Sequence, residues 1–329
     1  MDLVFETVSE AKAGPKWQSL FETLWPAYQR WFLSDGIEAR QTYLAGYRAF
    51  KKYMPEMLPM YEHLCELAGG DDLSARFLSF YCPPAYLSGC SQAIWPGNEP
   101  MLVRNYDYAP ALCDGLILQS HWHDRRVMGM SDGLFGLVDG INDRGLAVSL
   151  TFGGRTVVGD GFGVPIILRY ILEFCDTAGD AIEALKRIPC HMTYNVTVVD
   201  KQGKYATVYL APDRKAIVTD QRVATNHQER VEWHRHARAT ATVERERFLL
   251  QRLTLHDEPA DRFIGAFQKP PLYSTAFGRG FGTVYTAVYW PKRGIAEYRW
   301  PGVQWTQRLK APITGQRHIR FPMSDEALA

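Results

Sequence analysis

The sequence predicts an α+β protein of four layers: two antiparallel β-sheets face to face, with helices on both outer faces. Three observations point there. Short β-prone runs cluster at about residues 93–150 and 194–219, and again at 283–298. Two helical stretches near 164–187 and a charged helix near 239–253 separate these clusters. The order strands, two helices, strands, helix, strands is not the βαβ alternation that builds a parallel sheet.

Residues 1 to about 75 read as helical, with Trp17, Leu20, Phe21 and Leu24, then Tyr43, Tyr47, Phe50 and Tyr53, at helical spacing. Gly69-Gly70-Asp71-Asp72 breaks the pattern, a short helix is expected at Leu73–Phe80, and Pro83-Pro84 stops it. Ala93–Trp95 and Met101–Val103 form the arms of a hairpin around Pro96-Gly97-Asn98. A strand is expected at Gly115–Ser120, then strand, tight turn, strand through Phe135–Leu150, with Asn142-Asp143-Arg144-Gly145 as the turn. After a glycine-rich loop, Ile167, Tyr170, Ile171 and Phe174 mark one face of a helix over 164–175, and a second helix covers 178–187. Strands follow at Tyr194–Val199, Ala206–Tyr209 and Ala216–Thr219, then the loop Ala224-Thr225-Asn226-His227 and the charged helix. Strands at Thr283–Trp290 and Gly294–Tyr298 precede a polar tail.

Composition bounds the function. Over 329 residues, 46% hydrophobic and 22% charged content are those of a soluble globular protein, and a net charge of +1 gives no reason to expect nucleic acid or an anionic membrane as partner. Acids occupy the N-terminus where a signal peptide carries basic residues, and no stretch reaches the roughly 18 apolar residues of a membrane span. The six cysteines are scattered without a CxxC pair, so reduced thiols in the cytoplasm are expected. Asn195-Val196-Thr197 matches a glycosylation acceptor but has no secretion signal beside it.

The stretch carrying the chemistry is Ser88-Gly89-Cys90-Ser91 with Arg104-Asn105-Tyr106-Asp107. The hairpin folds Arg104 and Asp107, the latter 17 positions after Cys90, back beside the cysteine. A thiol becomes a good nucleophile when a base and a positive charge stand next to it. A cysteine is ordinarily a small buried hydrophobe, and Arg104 with Asp107 alone could be a surface ion pair. Their spacing together favours a site.

These residues resemble the acyl-CoA:6-aminopenicillanate acyltransferase family of N-terminal-nucleophile cysteine hydrolases, within the choloylglycine hydrolase and penicillin V acylase group. The resemblance extends to Gly140-Ile141-Asn142-Asp143-Arg144-Gly145-Leu146, to Val164-Pro165-Ile166 with Arg169–Glu173, to Thr225-Asn226 and to Thr283–Val288. It implies an αββα sandwich at 90–329 and a helical pro-segment at 1–89, cut at Gly89–Cys90 and remaining bound. A freed Cys90 would carry an α-amine of pKa about 7.7–8.0, able to act as its own general base. Arg104 would favour the thiolate and Asp107 would hold the ammonium form. Asn226 would help form the oxyanion hole, and Thr151 falls where relatives supply a second donor, here a backbone N–H. A later arginine is expected, with Arg245 in Thr242-Val243-Glu244-Arg245 the closest form and Arg238 and Arg279 as competitors. The implied partners are a small acyl amide or acyl thioester such as an acyl-CoA and the chain's own pro-segment. No cofactor or metal is called for.

Two other readings stand beside this one. Gly129-Met130-Ser131-Asp132-Gly133 fits the serine-hydrolase elbow, which needs a strand before Ser131 and a helix after it. A relative that never processes would be a binding protein. His121, His123, His234 and His236 lack a third ligand at suitable spacing for a metal. The glycines of 278–282 and 159–163 lack the strand–helix context of a dinucleotide site.

Overall fold

The computed structural model describes residues 1–86, 89–255, 258–279 and 281–322, the side chain of Arg279 excepted. In chain order these form β1 (Asp2–Glu10), α1 (Pro15–Phe32), α2 (Tyr43–Tyr53), α3 (Leu58–Leu67), α4 (Asp72–Leu78), β2 (Gly89–Trp95) and β3 (Met101–Tyr108). Next come β4 (Leu116–Ser120), β5 (Val127–Asp132), β6 (Gly136–Asn142), β7 (Leu146–Phe152), α5 (Val164–Phe174), α6 (Ala178–Arg187), β8 (Tyr194–Asp200), β9 (Tyr205–Ala211), β10 (Arg214–Thr219) and β11 (Val223–Ala224). The chain continues through α7 (His234–Ala239), α8 (Thr242–Leu253), α9 (Ala260–Ala266), β12 (Gly282–Trp290), β13 (Ile295–Trp300), β14 (Val303–Arg308) and β15 (Gly315–Arg320).

The strands make a nine-stranded sheet, β10-β9-β8-β7-β6-β5-β4-β1-β15, and a six-stranded sheet, β11-β2-β3-β12-β13-β14. β2 and β3 contact β7 across the gap between the sheets. α5 and α6 cover the outer face of the large sheet. α8 and α9 cover the small one, where Leu249, Phe263, Ile264 and Phe267 bury against Ala93, Met101, Val103 and Val288. This is the four-layer αββα sandwich. No helix among the described residues is long and apolar enough to cross a membrane.

Several stretches depart from the sequence reading, which also named no strand at Val127–Asp132 and no helix at Ala260–Ala266. The first is β1: the N-terminal segment is not all helix, because Asp2–Glu10 pairs in parallel with β4 and antiparallel with β15. Phe5, Thr7 and Val8 are its buried residues, a half-buried strand pattern overridden in the sequence reading by the helix behind it. The second is the polar tail, which forms β14 and β15; only Ile319 of β15 is buried, as befits an edge. The third is α7, an additional short helix at His234–Ala239 ahead of the expected charged helix, which forms as α8; Ala241, with φ of +47°, separates the two.

α1 docks on the sandwich through polar as well as aromatic contacts. Trp17 Nε1 donates to the Leu134 carbonyl at 3.1 Å. The Tyr28 hydroxyl donates to Asp114 at 2.7 Å, lies 3.4 Å from Asp132, and accepts from the Gly133 N–H at 2.8 Å. Burial and then repulsion from Asp132 push the Asp114 carboxyl up to about 8; burial pushes Asp132 up to about 6, against Tyr28, the Gly133 N–H and Arg104. A carboxyl raised on folding favours the native state most below its ordinary pKa, and that contribution is lost as pH rises through 6 and 8. Thermal unfolding of the wild type is therefore expected at lower temperature at pH 8.5 than at pH 5. Asp114→Asn should shrink that difference by about 2–4 °C. An unchanged difference in the variant would show that the pair does not titrate in this range.

Candidate active site

The site is built on the β2–β3 hairpin. Its register sets Gly89 opposite Asp107, Cys90 opposite Tyr106, Ser91 opposite Asn105 and Gln92 opposite Arg104. Alternation along the strands then sends Cys90 and Arg104 to the same face, toward the large sheet, and Ser91 and Asp107 to the other, toward α8. Arg104 Nη2 lies 3.2 Å from Cys90 Sγ, and its guanidinium carbon stacks 4.6 Å above the Tyr106 ring. A Cβ at Gly89 would sit 2.1 Å from the end of the Phe281 ring and 3.2 Å from Asp107 Cβ, so a side chain there would displace Phe281. Ser88 lies outside the described residues.

Arg245 organises the α8 side. Thr242, Arg245 and Leu249 are buried on one stripe of α8, three and four residues apart. Arg245 Nη1 donates to the Cys90 carbonyl and the Ser91 hydroxyl at 2.8 Å each and to Asp107 at 3.1 Å. Its Nη2 donates to Asn226 Oδ1 at 2.7 Å. That same amide oxygen accepts the Cys90 N–H at 3.1 Å, and Asn226 Nδ2 donates to the Phe152 carbonyl at 3.3 Å. The 225–226 loop is pinned by the start of α8, where Thr242 Oγ1 accepts the Asn226 N–H at 2.6 Å. Asp107 also accepts the Thr283 hydroxyl at 2.7 Å, across a register shift between Thr283 and Tyr285 in the β3–β12 ladder. Burial pushes the Asp107 carboxyl up; Arg245, the Thr283 hydroxyl and Arg104 pull it down. Burial lowers the Arg245 guanidinium, opposed by Asp107 and Cys90.

The structure thus brings Cys90, Arg104, Asp107, Asn226 and Arg245 into one buried cluster. It also reveals a partner the sequence reading passed over. Asp139, fully buried on β6, forms an ion pair with Arg104 Nη1 across the two sheets. Asp139 further accepts the Tyr285 hydroxyl at 2.6 Å and the Tyr289 hydroxyl at 2.5 Å. Burial opposes charge on Arg104, but Cys90, Tyr285 and Asp139 outweigh it and hold its pKa up.

Thr151 serves the loop rather than presenting its hydroxyl to the thiol: Oγ1 donates to the Thr225 carbonyl at 2.7 Å and accepts from Asn195 at 3.0 Å. Arg238 is exposed on α7, and the Arg279 side chain lies outside the described residues, as does Gly280. Ser131 is buried near the end of β5, in register with Leu137 of β6, so the chain turns from strand to strand. The strand–helix elbow needed by a serine nucleophile is not formed there. Among the described residues, no group of three His, Cys, Asp or Glu side chains is arranged to hold a metal ion. His236 instead stacks on Trp233, and burial and Arg245 lower its pKa to about 4.

Two helix-covered sheets, antiparallel but for the β1–β4 pair, with this hairpin inside the smaller one, define an N-terminal-nucleophile hydrolase fold, that of amidases and acyltransferases. The sequence profile of the acyl-coenzyme A:6-aminopenicillanic acid acyl-transferase family matches residues 95–305, and the chain belongs to that family. Penicillin V acylase from Agrobacterium tumefaciens shares the fold at a TM-score of 0.50 and 14% identity, over 67% of this chain and 86% of that one. A variant of conjugated bile acid hydrolase from Clostridium perfringens aligns at 0.44 and 16% identity, over 73% and 100%. The Caenorhabditis elegans ortholog of N-acylethanolamine-hydrolyzing acid amidase aligns at 0.42 and 17%, over 62% and 93%. No curated protein sequence matches the chain.

Proposed function

We propose that this chain is the precursor of a self-processing cysteine amidohydrolase or acyltransferase, with Cys90 as nucleophile and residues 1–89 as its pro-segment. The observation that carries the reading is the grip on Cys90 itself. Its sulfur faces Arg104 at 3.2 Å, its N–H is held by Asn226 at 3.1 Å and its carbonyl by Arg245 at 2.8 Å.

In processing, the Cys90 sulfur attacks the Gly89 carbonyl carbon. The C–N bond breaks, the nitrogen takes the proton lost by the thiol, and the 1–89 fragment is left as a thioester on Cys90. Water hydrolyses the thioester, freeing the thiol and a new carboxylate at Gly89. The amine of Cys90, with a reference pKa of about 7.7–8.0, then serves as general base near neutral pH. Asp107 holds its ammonium form, and Arg104 supports the thiolate. In turnover the thiol attacks a linear acyl amide or acyl thioester, Asn226 Nδ2 donates to the developing oxyanion, and water or an amine resolves the acyl-enzyme. Arg245 keeps Asn226 and Asp107 in register with Cys90. Thr151 steadies the loop that carries Asn226.

The test is the intact mass of wild type beside Cys90→Ala. Fragments of 89 and 240 residues are expected in the wild type, with one uncut chain in the variant. On mixing with a linear acyl amide, the 240-residue fragment should gain the acyl mass transiently. An uncut chain in both proteins would sink self-processing and favour the binding-protein reading.

A further inference from the structure

The buried charges around Arg104 need an explanation beyond the five site residues. Arg104 uses its two terminal nitrogens differently. Nη1 turns away from the thiol, to Asp139, to the Val138 carbonyl at 3.0 Å and to the Tyr285 oxygen at 3.3 Å. Nη2 turns to Cys90. A guanidinium whose charge is fully matched by one carboxylate offers little to a second anion, so a thiolate at Cys90 competes with Asp139 for the same cation. In a fully buried setting that competition is strong, because little solvent screens it.

Two tyrosines relieve it. Tyr285 and Tyr289, on one face of β12 with Ala287 between them, donate their hydroxyls to the two carboxylate oxygens of Asp139. The Tyr298 oxygen lies 3.1 Å from that of Tyr289, and because Tyr289 donates to Asp139, Tyr298 is the donor between them. Burial first and Asp139 next hold Tyr285 and Tyr289 far above the ordinary phenol range, so both remain O–H donors. Each phenol draws off part of the carboxylate's charge.

We propose that Asp139, Tyr285 and Tyr289 are positioning residues that set how strongly Arg104 stabilises the Cys90 thiolate. Asp139 anchors the guanidinium so that Nη2 points at sulfur, and the tyrosines weaken the anchor's claim on its charge. The proposal rests on Cys90 being the nucleophile. It makes the two kinds of substitution act with opposite sign. Removing a phenol hydroxyl strengthens Asp139 as a rival anion and disfavours the thiolate. Removing the Asp139 charge leaves Arg104 to the sulfur and favours it.

The charged and titratable groups described around the thiol include Arg104, Tyr106 and Asp107 on β3, Arg245 on α8, Tyr285 on β12, Asp139 on β6, Asp132 on β5 and Cys113 before β4. The amine of processed Cys90 adds to them. The experiment compares variants against that constant background. Processed wild type, Tyr285→Phe, Tyr289→Phe and Asp139→Asn are alkylated with iodoacetamide from pH 5 to pH 10, and the 240-residue fragment is followed by mass. Each Tyr→Phe variant is expected to move the midpoint of Cys90 alkylation upward, with a rate at pH 7 about threefold to tenfold lower. Asp139→Asn should move the midpoint downward. kcat on an acyl amide should fall in the Tyr→Phe variants with KM unchanged. A midpoint that stays put in both Tyr→Phe variants, with Cys90 still labelled, overturns the proposal and leaves the nucleophile assignment standing. Should Asp139→Asn fail to fold, the two Tyr→Phe variants alone decide. Cys90→Ala protein that still gains the acyl mass from an acyl amide would instead overturn the nucleophile assignment.

Discussion

Arg245→Leu is expected to abolish both self-cleavage and turnover, with rates at least about a thousandfold down. It should also lower stability by about 3–5 kcal/mol, the range for breaking a buried ion pair by removing one partner. One guanidinium makes four of the bonds that define the site, to the Cys90 carbonyl, Ser91, Asp107 and Asn226. Leucine fills similar space but, among the described residues, leaves Asp107 the Thr283 hydroxyl and a more distant Arg104. It also frees the Asn226 amide to rotate away from the Cys90 nitrogen. Arg245→Lys separates the two effects: an ammonium keeps a charge near Asp107 but cannot span Cys90, Asp107 and Asn226 as a planar fork does. The lysine variant should regain most of the stability and little of the rate. Urea unfolding and time-resolved intact mass read the two quantities. A leucine variant that cleaves at the wild-type rate would remove Arg245 from the site.

What could be read from the sequence was what the chain keeps local. Cys90, Arg104 and Asp107 lie on one hairpin whose turn, Pro96-Gly97-Asn98, is recognisable, so their meeting follows from register. Arg245 was the closest of three candidate arginines by its motif Thr242-Val243-Glu244-Arg245, but a charged helix gives no local sign of which arginine is buried. In the structure α8 starts after the left-handed Ala241 and buries Thr242, Arg245 and Leu249 on one stripe. Asp139 falls in the strand expected before the Asn142–Gly145 turn, but nothing local shows that its carboxylate is seated between the sheets against Arg104, a pairing of distant residues. The two helix-covered sheets were legible from the alternation of strand and helix blocks. β1 was not, because its partners are β4 and β15, the latter some 300 residues away, and short-range periodicity says nothing of such pairings.

That distant pairing argues that residues 90–329 expressed alone will not reach the native fold. β1 stands between β4 and β15, so its removal leaves β15 with no partner strand among the described residues and opens an edge at β4. Residues 1–89 also supply large aromatic side chains to the core. Phe5 packs on Trp300 at 4.6 Å, Phe50 on Phe162 at 5.1 Å and Tyr81 on Phe162 at 5.3 Å, while Trp17, Phe77 and Phe80 are buried. Each such side chain contributes about 1.5–3 kcal/mol, so a few of them match the whole stability of an ordinary domain. The 90–329 chain should aggregate or lack a cooperative melt, and co-expression with residues 1–89 should restore soluble protein that co-purifies as a pair. If Gly89–Cys90 is cut in the folded protein, none of these contacts depends on the broken bond, so the packing is expected to survive. The cleaved protein should melt cooperatively near the temperature of uncut Cys90→Ala, and gel filtration should show both fragments in one peak. A 90–329 chain that folds and melts cooperatively alone would mean that β1 is dispensable to the sandwich.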